Sequence, residues 1–488
     1  MTYTSTHIKE ALARLSSNGL VLPNASYDAL TGNGDILASF GPPSSLIEDV
    51  NRYATASPRE RCQISSRVSE FRQYLAGGDG RARPEGMLLE DGYADIDAGC
   101  YGADSAKLFE LVGRVVAPEL QINPLYTLMR AHFIKTFGIR GTCSDVMVFL
   151  FDLANQMIIR DSKTDSCDMH LPDELVGISI LGQRLAAEGS NADVFIVNQA
   201  FAGAGWLTAR YIGELDHLRN GVKSEFKNWL SKLYSQREIV EVMFSGEANA
   251  LQHHVPLTER FLRWPLEPLA KMRNQIQLSD VSLVYDEPTN ALRLLEKGSH
   301  LIAPIYLGGL LPLPSWGPIY FLLLLSTPHL LQPLHHQKPK DHDGMLVEYR
   351  PRESRQGVVL RREAWFVRVD YLRTVLHPSK PERMRALRLF LETWRIPTDF
   401  FARLVSSNFD RRADRNARKP QYIDSETFFG VELLSEIVAL GQETDSIEIF
   451  EVLPGRVDHE LLKQRYCTES LIEVAVSTHL SQIQSPRT

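Results

Sequence analysis

The stretch from Leu301 to Leu331 sets the first constraint on what this chain can become. It is strongly apolar and contains the run Phe321-Leu-Leu-Leu-Leu325. A helix that crosses a bilayer needs about 20 consecutive apolar residues. Here Pro304, Pro312, Pro314 and Pro318, with Gly308, Gly309 and Gly317 between them, break the run, and its longest intact part is Ile319 to Leu325. The segment therefore reads as a buried strand, a Pro/Gly turn and a short buried helix, and no membrane span is expected. The N-terminus, Met1-Thr-Tyr-Thr-Ser-Thr-His7, lacks the basic and apolar regions of a signal peptide. Cys62, Cys100, Cys143, Cys167 and Cys467 are odd in number and show no C-x-x-C spacing, which reads as reduced thiols. The expectation is a soluble, cytoplasmic protein.

At 488 residues, 44% hydrophobic and 23% charged, the chain has core enough for two to four domains. Ile8, Leu12 and Leu15 lie at helical spacing, and Ser57-Pro58 opens a second helix running towards Leu75. Gly77 to Pro84 reads as a loop and Met87 to Ile96 as a strand. Three helices are predicted near 124–137, 144–159 and 172–188. Ala192 to Asn198 is a short strand, followed by the turn Ala202-Gly-Ala-Gly205 and a helix from Trp206 to about Leu218. Val281 to Tyr285 and Ala291 to Leu295 flank Asp286-Glu-Pro-Thr-Asn290 as a hairpin. Gln332 to Glu348 reads as an exposed loop, Gly357 to Val369 as a strand pair or bulged strand, and Lys380 to Trp394 as a basic helix. Strands near 399–405, 420–424, 446–452 and 469–476 surround a helix at 430–440. The class is α+β, mixed sheets with packed helices. Three regions follow: a helical 1–118, an α+β 119–297 with the Gly-rich turn, and an α+β 298–488 with a basic patch.

Motifs for familiar chemistry are sparse. The turn between Asn198 and Arg210 joins a strand to a helix, where backbone N–H groups can hold phosphate. Its glycines at 203 and 205 lack the third member of a dinucleotide fingerprint, and no Gly-Lys-Ser/Thr follows. Arg210 could reach an anion near that helix start or form a surface salt bridge. The doublets His253-His254 and His335-His336 send adjacent side chains to opposite faces of a strand, so neither supplies two ligands to one metal. No Gly-x-Ser-x-Gly occurs.

Charge is more informative. The net charge of −7 hides a window from Glu348 to Pro420 with 18 Lys+Arg against 9 Asp+Glu, a local +9 that leaves −16 elsewhere. Arg411, Arg412, Arg415, Arg418 and Lys419 crowd together, and Arg350, Arg352, Arg355, Arg361 and Arg362 precede them. Such runs are commonly solvated faces; converging in space, they would suit a phosphate backbone.

Six segments in order resemble the lantibiotic dehydratase family, in its N-terminal, aminoacyl-tRNA-dependent part. They are Leu125 to Gly138; Val197-Asn-Gln-Ala-Phe-Ala-Gly-Ala-Gly205 with Ala209-Arg-Tyr211; Leu278 to Asp286 with Ala303 to Gly308; Gly357-Val-Val-Leu-Arg-Arg-Glu-Ala-Trp365; Arg418-Lys-Pro-Gln-Tyr-Ile-Asp424; and Glu451-Val-Leu-Pro454. The chain departs from the family in three respects. A region of a few hundred residues that precedes this part in full-length members is missing, there is no room for the glutamate-elimination domain, and Trp206 stands where many members have a basic residue.

The resemblance implies transfer of an aminoacyl group from charged tRNA to a ribosomally made precursor peptide. In the dehydratase branch glutamyl-tRNA is the co-substrate and a Ser or Thr hydroxyl the acceptor, leading to dehydration. In the related peptide aminoacyl-tRNA ligases an amino acid is added to a peptide C-terminus. No bound cofactor is implied. The resemblance places Arg210 near the tRNA acceptor end as the catalytic candidate. It makes Arg361, Arg362, Arg411, Arg412, Arg415, Arg418 and Lys419 phosphate contacts or a substrate-facing wall, with Tyr422 beside them. The expected partners are precursor peptide, tRNA, a second dehydratase-like chain and a separate elimination-domain protein, as in a split enzyme. The alternative is a non-catalytic peptide-binding or partner-docking subunit.

Overall fold

The computed structural model describes residues 103–159, 175–185, 194–243, 256–264, 274–297, 300–308, 314–332, 334, 345–377, 380–405, 419–455 and 469–477, with 48, 52–53, 56–57, 59–64 and 66–67 before them. The predicted helix at His7–Ser17, the loop at 77–84, the strand at 87–96, most of the 332–348 loop and Arg411 to Arg418 lie outside these residues. The chain forms two units. The first takes residues 1–100, 124–170 and 206–326; the second takes 101–123, 171–205 and 327–488. The α+β class holds for both.

In the first unit, Ser57 and Glu60 form a capping box. The Ser57 backbone N–H and hydroxyl donate to the Glu60 carboxylate at 2.9 and 2.7 Å, and the Glu60 N–H returns to Ser57 Oγ at 3.4 Å. The sheet of this unit has seven strands in the order Thr142–Cys143, Val281–Asp286, Ala291–Glu296, His300–Ile305, Glu238–Met243, Phe261–Arg263 and Gln275–Gln277. The expected hairpin is present, with Val281 opposite Glu296 and Asp286 opposite Ala291. Asn290 takes the positive φ (+50°) that closes its turn, a conformation Asn tolerates. Helices Pro124–Phe137 and Val146–Ile159 match the sequence expectation closely. Phe133, Phe137 and Phe149 pack them together, with centroids 5.1 to 6.0 Å apart. The buried Tyr126 hydroxyl accepts the Leu292 N–H at 2.9 Å, tying helix to hairpin. The apolar segment resolves as expected into a strand, His300–Ile305, and a short buried helix, Pro318–Leu324. No described helix is long and apolar enough to cross a membrane.

The second unit contains two five-stranded sheets and a ribbon pairing Leu120–Ile122 with His329–Leu331. The first sheet runs Glu353–Arg355, Val358–Arg361, Phe195–Ala202, Leu175–Arg184 and Ser470–Ser477. The second runs Val347–Arg350, Ala364–Arg368, Ser446–Glu451, Asp399–Val405 and Gln421–Asp424, all antiparallel. In the second sheet Trp365, Val367, Phe400, Ala402, Ile447 and Ile449 share one core with Leu372, Leu387, Phe390, Leu434 and Ile437 from helices Val369–Leu376, Lys380–Trp394 and Phe428–Leu440. Each fully buried side chain of this size contributes about 1.5–3 kcal/mol.

One expectation is overturned: 172–188 is not helical. Leu175–Arg184 is a strand between Phe195–Ala202 and Ser470–Ser477. Val176, Ile178 and Ile180 point into a core shared with helix Ala103–Val116, a spacing of two. The β-branched Val-x-Ile-x-Ile pattern with Gly177 and Gly182 disfavours a helix, and near-continuous burial on both faces hid the alternation. Gly182 sits at a register shift, where an added Cβ would lie 2.3 Å from Phe195 Cε1. The strand pair at 357–369 also has a different meaning from a hairpin. Val358–Arg361 pairs in parallel with Phe195–Ala202, while Ala364–Arg368 belongs to the other sheet. The chain changes sheets at Arg362-Glu363.

Candidate functional site

That corner opens onto a cavity of about 480 Å³ within the second unit. Strand alternation explains its floor. The residues of the second sheet that do not face the helices, Ala364, Phe401, Arg403, Glu448 and Phe450, line it. Register places Phe401 opposite Phe450 and Arg403 opposite Glu448. The Phe401 and Phe450 rings stack 5.5 Å apart, and Tyr422, opposite Phe401 on the edge strand, extends the row at 6.0 Å. Arg403 Nε donates to Glu448 Oε2 at 2.5 Å, and its guanidinium lies 6.0 Å from the Phe450 centroid. Burial pushes the Glu448 carboxyl above the usual carboxylate range, against the pull of Arg403.

The other wall comes from the first sheet and its connections: Leu181, Gln183, Asn198, Gln199, Leu453 and Glu469. Asn198 is the junction. Its amide nitrogen donates to Gln183 Oε1 at 3.1 Å and to Glu469 at 2.6 Å, while its Oδ1 accepts from Arg362 Nη2 at 2.7 Å. Leu453 O accepts from the same nitrogen at 2.8 Å. Arg362 Nε is buried with no hydrogen-bond partner among the described residues. Burial drives the Arg362 pKa down to about 10, although Glu451 and Glu469 act at longer range to raise it.

The corner is held by a separate set of contacts. Buried Glu451 binds Arg352 Nε at 2.9 Å and accepts the Glu363 N–H at 2.8 Å. The segments that carried the family resemblance therefore meet here: Asn198 and Gln199 from one, Arg362 from another, Pro420 from the Lys-Pro-Gln-Tyr stretch, and Leu453 from Glu-Val-Leu-Pro.

The remaining candidates are placed as follows. Arg361, next to Arg362 in sequence, is committed to structure: it pairs with buried Glu119 at 3.0 Å and with Glu353. Lys419 is exposed beside Pro420, and Tyr422 is half exposed. Arg210 belongs to the first unit, in helix Ala209–Leu218, with its guanidinium 4.6 Å over the Tyr211 ring. Arg411, Arg412, Arg415 and Arg418 lie outside the described residues.

The glycine turn carries its own anion. Gly203 (φ +130°) and Gly205 (φ +75°) shape it, and the Gly205 N–H donates to Glu473 at 3.1 Å, a carboxylate also held by Ser179 Oγ at 2.8 Å. A protein carboxylate thus already engages the Gly205 N–H of this turn.

Sequence reasoning missed Asn198, Gln183, Arg403, Glu448 and Glu469. The available signal was a charge set inside an otherwise apolar stretch of each of two strands, Arg403 in Asp-Phe-Phe-Ala-Arg-Leu-Val and Glu448 in Ser-Ile-Glu-Ile-Phe-Glu. Pairing them requires the register.

No protein-family model and no curated protein sequence matches the chain. Solved structures do. The glutamylation domain TbtB from thiomuracin biosynthesis superposes with a TM-score of 0.57 at 15% identity, covering 88% of this chain and 57% of that one. The same figures hold for that domain bound to 5'-phosphodesmethylglutamycin. The tRNA-dependent lantibiotic dehydratase MibB from Microbispora sp. 107891 superposes with a TM-score of 0.56 at 12% identity, over 97% of this chain and 47% of that one. The chain thus spans about half the length of these proteins. Its fold is lantibiotic dehydratase-like.

Proposed function

We propose that this chain takes part in aminoacyl-tRNA-dependent modification of a ribosomally made precursor peptide, most specifically glutamylation of Ser or Thr. The observation that supports the reading is the convergence of four resemblance-bearing segments on one cavity lined by an arginine whose Nε is buried, in a chain whose fold is like that of a glutamylation domain. In the reaction a peptide hydroxyl attacks the aminoacyl ester carbonyl. The ribose oxygen of the tRNA terminus leaves with the proton, and one ester replaces another. Such a step needs positioned groups and stabilisation of the oxyanion more than a covalent catalyst. Lys419 and the basic segment from Arg411 to Arg418 would contact tRNA phosphates, Arg210 would lie near the acceptor end, and Tyr422 would border the substrate. Charged tRNA would make the cytoplasm its place of work. A second dehydratase-like chain and a separate elimination protein would complete the pathway to a dehydroamino acid.

The test incubates the chain, with and without such a partner, with glutamyl-tRNA and precursor peptide, and reads intact peptide mass. A glutamyl adduct lost on mild alkaline treatment marks an ester on Ser or Thr. An alkali-stable adduct would replace this reading with amide-forming ligation, and no adduct in either arm would overturn it.

A further inference from the structure

Arg362 stands apart from the other described arginines of its basic window that line or flank the same corner. Arg352 holds Glu451, Arg355 holds Glu119 at 2.9 Å, Arg361 holds Glu119 and Glu353, and Arg403 holds Glu448. Arg362 has no carboxylate within ion-pair distance among the described residues. Its acceptors are two neutral oxygens, Asn198 Oδ1 and Leu453 O, and both take the same nitrogen, Nη2. Nε is buried and unsatisfied. A guanidinium offers five N–H donors in a planar fork suited to two oxygens of one anion. Here one prong is pinned, Nε is closed off by protein, and the side chain lines a cavity of about 480 Å³, roomy enough for a group of amino-acid size. The two carboxylates that line the cavity are engaged elsewhere, Glu448 by Arg403 and Glu469 by the Asn198 amide. Burying a charge without its counter-charge is costly unless an anion arrives.

We propose that Arg362, oriented by Asn198, is the receptor for one oxyanion of a small ligand or substrate group, a carboxylate or a phosphate, bound in this cavity. Asn198 acts as a positioning residue: its Oδ1 holds Nη2 while its amide nitrogen draws the Glu469 carboxylate away from the guanidinium. The inference rests on the function proposed above for its choice of probes. Within that reading the two sources of the oxyanion are the side chain of an acidic aminoacyl group and a phosphate of the tRNA terminus.

The experiment titrates the full chain with glutarate and, separately, with inorganic phosphate at fixed ionic strength, and follows thermal midpoints of ligand-free variants. Saturable one-site binding is expected for at least one probe, and the stronger identifies the source. R362Q should weaken it at least tenfold while melting at or above the wild-type temperature, because it removes a largely desolvated charge that has no carboxylate within ion-pair distance among the described residues. N198D/E469Q should weaken binding likewise and raise the midpoint, since the new carboxylate occupies the fork from within. R355Q, whose arginine pairs with Glu119, should bind as wild type. Unchanged affinity in R362Q, absence of saturable binding by either probe, or a midpoint lowered in R362Q and restored in R362K would overturn the assignment, the last by making Arg362 structural. The two readings fail separately. Glutamyl adduct formed at wild-type rate by R362Q sinks the receptor and spares the function, and anion binding by a chain that forms no adduct does the reverse.

Discussion

Replacing Arg403 with Met isolates the electrostatics of the cavity floor. Glu448 has 4% of its side chain exposed and Arg403 25%, so the carboxylate depends on this partner rather than on water. Removing one member of a buried pair costs about 3–5 kcal/mol when the other charge is stranded. Glu448 can escape part of that cost by taking up a proton, and its carboxyl already sits above the usual range because of burial. The sign follows. A folded-state pKa above the unfolded value means that the native state is favoured below the unfolded pKa, about 4.3, and loses that advantage as pH rises through the folded pKa. Each further unit of upward shift costs about 1.4 kcal/mol at high pH. The R403M deficit should therefore be small near pH 4.5 and grow towards pH 8. Hydrogen exchange of peptides spanning 399–405 and 446–451 reads this locally, which suits a chain of two units better than a global two-state fit. At pH 8 protection there should fall by a factor of about 100 or more. R403M/E448L should recover most of it, because Phe401 and Phe450 already offer an apolar setting. A deficit below about 1 kcal/mol at pH 8, or one that shrinks as pH rises, would refute the reasoning.

Other outcomes are expected elsewhere. G182A should cost about 3 kcal/mol in urea unfolding, because its Cβ would meet Phe195 Cε1 at 2.3 Å and Ile196 O at 2.5 Å, and the backbone oxygen cannot swing aside; a loss below 1 kcal/mol would show that the bulge relaxes. E296Q should lower stability by about 1–3 kcal/mol at pH 7, since Glu296 takes the Arg260 guanidinium at 2.6 Å. Arg260 holds the Glu296 carboxyl below the usual range, so the wild-type contribution is present above the unfolded carboxylate pKa and fades as pH falls through the folded one. The variant's acid unfolding curve should be flatter, and parallel curves would contradict this. Of the two described cysteines, exposed Cys62 should be alkylated in the native protein while Cys143 is spared, since it is 2% exposed and its thiol pKa is raised by burial; peptide mapping by mass distinguishes them.

Local chemistry alone determined much of this protein. The Asp286 to Asn290 turn between two apolar strands, the proline-broken segment at 301–331 and the amphipathic stretch Lys380–Trp394 each form the element that their residues specify. These signals are satisfied within a few neighbours, so no distant contact is needed to read them. The strand Leu175–Arg184 was legible only in part: Val-x-Ile-x-Ile with two glycines disfavours a helix, but burial on both sides, a property of the sheet and not of the segment, masked the alternation.

What only the tertiary structure decided is where the charges go. Arg361 and Arg362 are equivalent in the sequence. The first finds Glu119, more than two hundred positions away, and the second is carried round the corner between two sheets into the cavity. The +9 of the 348–420 window is likewise offset by carboxylates from outside it, among them Glu119, Glu432, Glu448 and Glu451. Covalent order records how many charges a segment holds. Which of them remain uncompensated depends on distances of a few ångströms, and the second unit, through which the chain passes three times, sets those distances.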